Sequence, residues 1–228
     1  MQLVIGNKNY SSWSMRPWVL LRQFGIPFEE VLARFDGFEA DSAFKKRITP
    51  RSGAGKVPIL VEDDGFGVWD TLAIAEYLAD RHPGHALWPR DARRRARARS
   101  LCAEMHSGFG ALRNHFGMNI EASLPEVGRR ILAEDAAARA DLARVVSLWQ
   151  AALAESGGPF LFGDYSIADA YFAPLVMRIR TYALPVPPEL AAYVGRMVAS
   201  PGVAAWIADA LEEKDFRQFE EPYRTSRD

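Results

Sequence analysis

Residues 11–18 read SSWSMRPW. Three serines, an arginine and two tryptophans crowd the point where a short apolar run, Leu3-Val4-Ile5, hands over to the helix-spaced stretch WVLLRQFG. Hydroxyls at that boundary stand where a helix leaves its first N–H groups without partners. They can cap the helix or face whatever binds at its N-terminus, and Ser11, Ser12 and Ser14 are all placed for either role. Two further stretches put polar or constrained residues at the start of an element. Val57-Pro58 opens the apolar run VPILVED, and Asp70-Thr71 opens TLAIAEYL with two good N-cap types. A third, Ser166-Ile-Ala-Asp169, has the [ST]-x-x-[DE] form of a capping box ahead of an apolar run, which is structural work.

Other chemistries are excluded by what the chain contains. Cys102 is the only cysteine, which rules out an intrachain disulfide, a cysteine-rich zinc site and a CxxC redox centre. His82, His85, His106 and His115 lack HExxH spacing, so no metal site is expected, and neither GxGxxG nor GxxxxGK[ST] occurs. The formal net charge of −1 gives no sign of a polyanionic partner. The arginines at 90, 93, 94, 95, 97 and 99 read as a solvated helix face paired with neighbouring acids, and no nucleic acid is expected. No apolar run approaches a membrane span, so no membrane association is expected and the protein is read as cytoplasmic.

The elements that must position these residues fall into two groups. Up to about residue 82 the order reads βαβαββα. It comprises a strand in QLVIG, a helix over 14–24 closed by Gly25, an edge strand in PFEEVLARF, a short helix near 41–48, and a hairpin about Asp64-Gly65 before the helix that Asp70 opens. HPGHALWP (82–89), which runs into the linker at 83–90, carries two prolines and a glycine. From 91 to 228 every pattern is helical. Ala98, Leu101, Met105, Phe109, Leu112 and Phe116 recur at helix spacing, 126–155 forms a second long pattern, and later helices fit 167–182, 188–199 and 203–213.

VPIL, then WDTLAIAEYLADRHPGHALWP, then GPFLFGDYSIADAYFAPL, in this order and at these distances, resemble the cytosolic glutathione transferases, and the resemblance covers nearly the whole chain. SSWSMRPWVLL looks like the serine-bearing first loop of the zeta-type and related classes. The resemblance implies a thioredoxin-like, glutathione-binding domain over 1–82 and an all-helical domain over 91–228 that holds an electrophile site, assembled as a homodimer, for which the hydrophobic excess in DGFGVWD suggests a patch around Phe66. It implies glutathione as co-substrate, a small electrophile as the second substrate, and no metal.

The resemblance also gives the serine loop a physical role. A free thiol of pKa about 8.5 is only roughly 3% thiolate at pH 7. Lowering that pKa by about two units corresponds to about 2.7 kcal/mol. A hydroxyl donor beside the sulfur, at the positive end of a helix, supplies such stabilisation. Ser11 matches the first serine of the family motif and is the expected thiolate donor, with Ser12 as runner-up and Ser14 as the cap. In the family the proline matching Pro58 is cis and the backbone at Val57 pairs with the cysteinyl unit. Lys56 would meet the glycyl carboxylate, Asp70 and Thr71 the γ-glutamyl end, and Ser12 and Trp13 belong to the same site. Zeta-type isomerases and thiol-reductase members carry a cysteine where this chain has Trp13. With no loop cysteine to form a mixed disulfide, reductase chemistry is not expected.

The expected function is therefore attack of an activated glutathione thiol on a small electrophile. The alternatives are a glutathione-dependent, maleylacetoacetate-like isomerase and a non-catalytic protein-binding module of the same fold. His106, Arg113 and Asn114 lie on the helix expected to face the electrophile. Phe109, Phe116, Tyr171, Phe172 and Tyr182 are read as mostly core, with a few lining that pocket.

Overall fold

The computed structural model describes residues 1–227. β1 (Gln2–Ile5), α1 (Ser12–Gln23), β2 (Glu29–Leu32), α2 (Ala43–Ile48), β3 (Ile59–Val61), β4 (Gly67–Trp69) and α3 (Thr71–Arg81) follow in the expected order. The helical part runs α4 (Ala92–Ser107), α5 (Gly110–His115), α6 (Pro125–Glu134), α7 (Ala136–Ser156), α8 (Ile167–Thr181), α9 (Pro188–Ala199) and α10 (Pro201–Glu213), then a 3-10 turn at Gln218–Glu220.

The sheet order is β2-β1-β3-β4, with β1 parallel to β2 and antiparallel to β3, and β3 antiparallel to β4. β2, with Glu29 and Glu30, is an edge as expected. Side chains alternate across a strand, and the two faces enter different cores. Leu3, Ile5 and Leu60 join the large cluster with Trp18, Ile74 and Leu78, whereas Val4 and Ile59 pack with Phe35, Phe44 and Ile48 under α2. Both faces are covered, which is why LVI and ILV are continuous apolar runs.

α1 packs against α8 and α10 as well as the sheet side, so the large cluster runs without a break from the sheet into the helical part. Gly202 at the start of α10 makes that approach possible, because a Cβ there would lie 2.3 Å from the carbonyl oxygen of Val19. α8 is buried along almost its whole length. It starts at the expected capping box, in which Ser166 N–H and the N–H of Leu161 both donate to the Asp169 carboxylate. No single helix among the described residues is long and apolar enough to cross a membrane.

Three local expectations need correction. The apolar spacing over 98–116 is one helical face in the sequence but two helices in the structure. Phe109 adopts φ 56°, and a Cβ on Gly108 would meet the Glu104 carbonyl oxygen at 2.7 Å. The long pattern at 126–155 divides at Asp135, which ends α6 and caps α7 through the Ala138 N–H. The first helix begins at Ser12 and not at 14. Pro17 therefore lies beyond the first turn and leaves the Trp13 carbonyl without its helical donor.

Candidate functional site

Ser11 occupies the N-cap position of α1, 5% exposed, yet its side chain makes no cap bond. Its hydroxyl instead donates to Ser14 Oγ at 2.7 Å, and Ser14 Oγ also accepts the N–H of Gly6 at 3.1 Å. Ser14, expected to cap, is thus the third residue of the helix and ties α1 to the end of β1. It cannot cap because its side chain lies inside the first turn, wholly buried. The loop before it is held by Asn7, whose carbonyl oxygen accepts from the Tyr10 and Ser11 N–H groups and whose side chain meets Phe35 N–H and Asp215.

One cavity of about 960 Å³ brings together Ser11, Ser12, Trp13, Lys56, Val57, Pro58, Asp70 and Thr71. The Val57–Pro58 bond is cis. Asp70 caps α3 by accepting the Leu72 N–H at 2.8 Å, from a backbone at φ 72°, ψ 135°. Its other oxygen is 3.4 Å from His106 Nε2 on α4. The Thr71 hydroxyl is buried and shared with the Tyr171 hydroxyl at 2.8 Å, and the same phenol is 2.6 Å from His106 Nδ1. Burial pushes the Tyr171 hydroxyl up to about 12, so it stays a neutral donor and acceptor in this network.

The helical part contributes His106, Arg113, Met118 and Arg178, and the segment after α10 contributes Glu220. Trp13 is flanked by cations, with the Arg16 guanidinium 4.2 Å and the Arg113 guanidinium 4.8 Å from its ring. Arg16 lies behind it, buried, with Nε on the Tyr171 carbonyl oxygen and one terminal nitrogen without a partner among the described residues. Arg113 bonds the carbonyl oxygens of His106 and Gly108, and Arg178 that of Phe116. Among the described residues none of these three guanidinium groups pairs with a carboxylate. Burial lowers Arg16 to about 10 and Arg178 to about 9, and the three repel one another. Glu220 is the opposite case: burial, with Glu221 beside it, raises its carboxyl to about 7.

Asn114, expected to face this pocket, is exposed and does not line it. Phe109, Phe116, Tyr171, Phe172 and Tyr182 are all core, and none lines the cavity. Its aromatic wall comes from the other half of the chain: Tyr10, Trp13, Phe35, Phe38, Phe44 and Trp69. Sequence reasoning missed Lys45, Arg178 and Glu220. Arg178 had a signal, a cation set between Met177 and Ile179 at the end of the apolar stretch YFAPLVM, whereas Lys45 and Glu220 had none. The arginine run on α4 is a solvated face, where Arg99 pairs with Glu76 and Arg97 with Glu155.

Comparison with known proteins agrees with this architecture. The family described as Glutathione S-transferase, N-terminal domain, matches residues 10–81, and Glutathione S-transferase, C-terminal domain, matches 95–209. A glutathione S-transferase of Pseudomonas putida is 33% identical over 115 residues, 48% of this chain and 49% of that one. A probable maleylacetoacetate isomerase of Caenorhabditis elegans is 36% identical over 104 residues, 46% of each. The chain thus spans about half the length of these curated relatives. Among solved structures, a glutathione transferase homolog from Burkholderia gl BGR1, with bound glutathione, superposes with a TM-score of 0.70 at 27% identity. That match covers 92% of this chain and 98% of the other. With both domain families matched in order across a sheet-and-helix framework of this kind, the chain belongs to the glutathione S-transferase family.

Proposed function

We propose that the protein binds reduced glutathione in the cavity between sheet and helices and activates its thiol for attack on a small electrophile. The observation that carries this reading is the meeting of three features on one cavity: Ser11 at the N-terminus of α1, the Val57–Pro58 turn, and Asp70-Thr71 at the N-terminus of α3. In this reading the start of α3 receives the γ-glutamyl carboxylate, Asp70 meets the amine, and the Val57 backbone holds the cysteinyl unit. Lys56 lies at the glycyl end, Ser12 and Trp13 wall the site, and Ser11 donates to the sulfur. Catalysis then consists of thiolate stabilisation and positioning.

Retention on immobilised glutathione, followed by titration of the bound thiolate by its ultraviolet absorbance, tests the reading. Ser11→Ala is expected to raise the thiol pKa by about one unit or more, a roughly tenfold loss of thiolate at neutral pH, with little change in glutathione affinity. Ser12→Ala is the control. A Ser11→Ala protein with an unchanged titration and only a lower melting temperature would reduce Ser11 to a structural residue. A wild type that fails to bind glutathione would favour the non-catalytic, protein-binding alternative.

A second enzymatic reading is favoured by the arginines. Arg113 and Arg178 line the cavity, with Arg16 behind Trp13, and none has an acidic partner among the described residues. An electrophile with a carboxylate would complete them. An unsaturated diacid fits that description, with glutathione adding to the double bond and leaving after rotation, as the isomerase relative suggests. Conversion of a cis-unsaturated diacid without net consumption of glutathione distinguishes isomerisation from conjugation. We further propose a cytoplasmic homodimer. Phe66, more than half exposed just before the edge strand β4, supplies an apolar patch, and light scattering should give twice the chain mass.

A further inference from the structure

Ser14 does more than join a helix to a strand. Its oxygen is wholly buried and accepts the Gly6 N–H, which uses one of its two lone pairs. The other contact is Ser11 Oγ at 2.7 Å, so one proton lies between the two hydroxyls. Here Ser11 donates it. A hydroxyl that gives its proton to a neighbour has none left for a sulfur. The pair can run the other way, because both hydroxyl hydrogens rotate about their C–O bonds and the Gly6 donor is unaffected by that rotation. Ser14 O–H then donates to Ser11 Oγ, and Ser11 O–H is released toward the cavity that Ser11 lines.

We propose that Ser14 is the positioning residue for Ser11, forming a directed chain from Gly6 N–H through the Ser14 hydroxyl to the Ser11 hydroxyl and on to the glutathione sulfur. The inference rests on the thiolate-stabilising reading of Ser11. Each donor in such a chain polarises the next, so Ser11 becomes a better donor than an isolated serine. No proton leaves its oxygen: the chain reorients and does not transfer. The arrangement also accounts for Ser11 standing at an N-cap position without capping.

The test is a thermodynamic cycle read by the ultraviolet titration of bound glutathione. Ser14→Ala removes the donor to Ser11 and is expected to raise the thiol pKa by about half a unit to one unit, a roughly three- to tenfold loss of thiolate near neutral pH. Ser14→Thr keeps the hydroxyl and should restore most of it. In a Ser11→Ala background Ser14→Ala should add no further shift, because Ser14 acts only through Ser11. If Ser14→Ala does not accumulate as folded protein, Ser14→Cys, with its weak S–H donor, is titrated in its place, with a shift in the same direction. A lower melting temperature with an unchanged titration would overturn the relay and leave Ser14 as a brace. So would equal shifts in the wild-type and Ser11→Ala backgrounds. A wild type without a bound thiolate would overturn the proposed function, and the relay with it. A shift in Ser11→Ala and none in Ser14→Ala would overturn the relay alone.

Discussion

Asp70 carries two demands at a single residue. Its backbone, at φ 72° and ψ 135°, is where a side chain costs about 1–3 kcal/mol. Its carboxylate offsets part of that by capping α3 and by lying near His106. The two demands can be separated by substitution. Asp70→Gly relieves the backbone and removes the carboxylate, so melting temperature should change little while glutathione affinity falls about tenfold or more. Asp70→Asn keeps the cap and the strained backbone, and should also bind more weakly. Calorimetric titration alongside thermal melts reads both quantities, and unchanged affinity in Asp70→Gly would remove the carboxylate from the proposed γ-glutamyl contact. Residues of this sort were legible in the sequence because their signals are local: a cap type before an apolar helix, a proline before a strand, serines at a helix start. Arg113 was read only as a candidate and Arg178 not at all. What matters about them, the lack of an acidic partner among the described residues, is decided by residues far away in the chain.

At the scale of elements, the order of strands and helices was legible, and so was the α8 capping box. The breaks at Phe109 and Asp135 were not, because burial of Met105, Phe109 and Leu112 keeps its helical spacing across a backbone that has left the helix. The segment after α10 showed no pattern, yet it closes one side of the cavity. Asp215 pairs with Arg34, and Phe219 packs edge-on against Phe38. Glu221 accepts from Tyr10 and Asn119, while Glu220 lines the cavity. The raised Glu220 carboxyl gives this segment a pH dependence. Folding favours its protonated form, so its contribution is fully present below the ordinary value of 4.5 and is lost as pH rises through about 7. Hydrogen exchange over 214–227 should be slower, after correction for the intrinsic rate, at about pH 5 than at about pH 8. Glu220→Gln should remove the difference. Equal protection at both pH values in the wild type would show that Glu220 does not govern docking of the segment.

For the whole molecule, the large apolar cluster joins Leu3 and Trp18 to Leu78, Met105, Trp149 and Trp206 without interruption. Cys102 lies within that cluster on α4, 0% exposed, with burial pushing its thiol well above the ordinary range. A sulfur so placed is a clock for opening. Disulfide reagents react with thiolate, so the native chain should be inert to them and modification should wait for the cluster to part. In mild urea, the logarithm of the modification rate should then climb with the same slope as global unfolding, reporting from one atom what amide exchange reports from many. A shallower slope with faster labelling would reveal that α4 breathes away from its neighbours while the rest stays folded. The lone cysteine, which takes no part in the proposed chemistry, would thereby time the motion of the seam in which the candidate cavity is built.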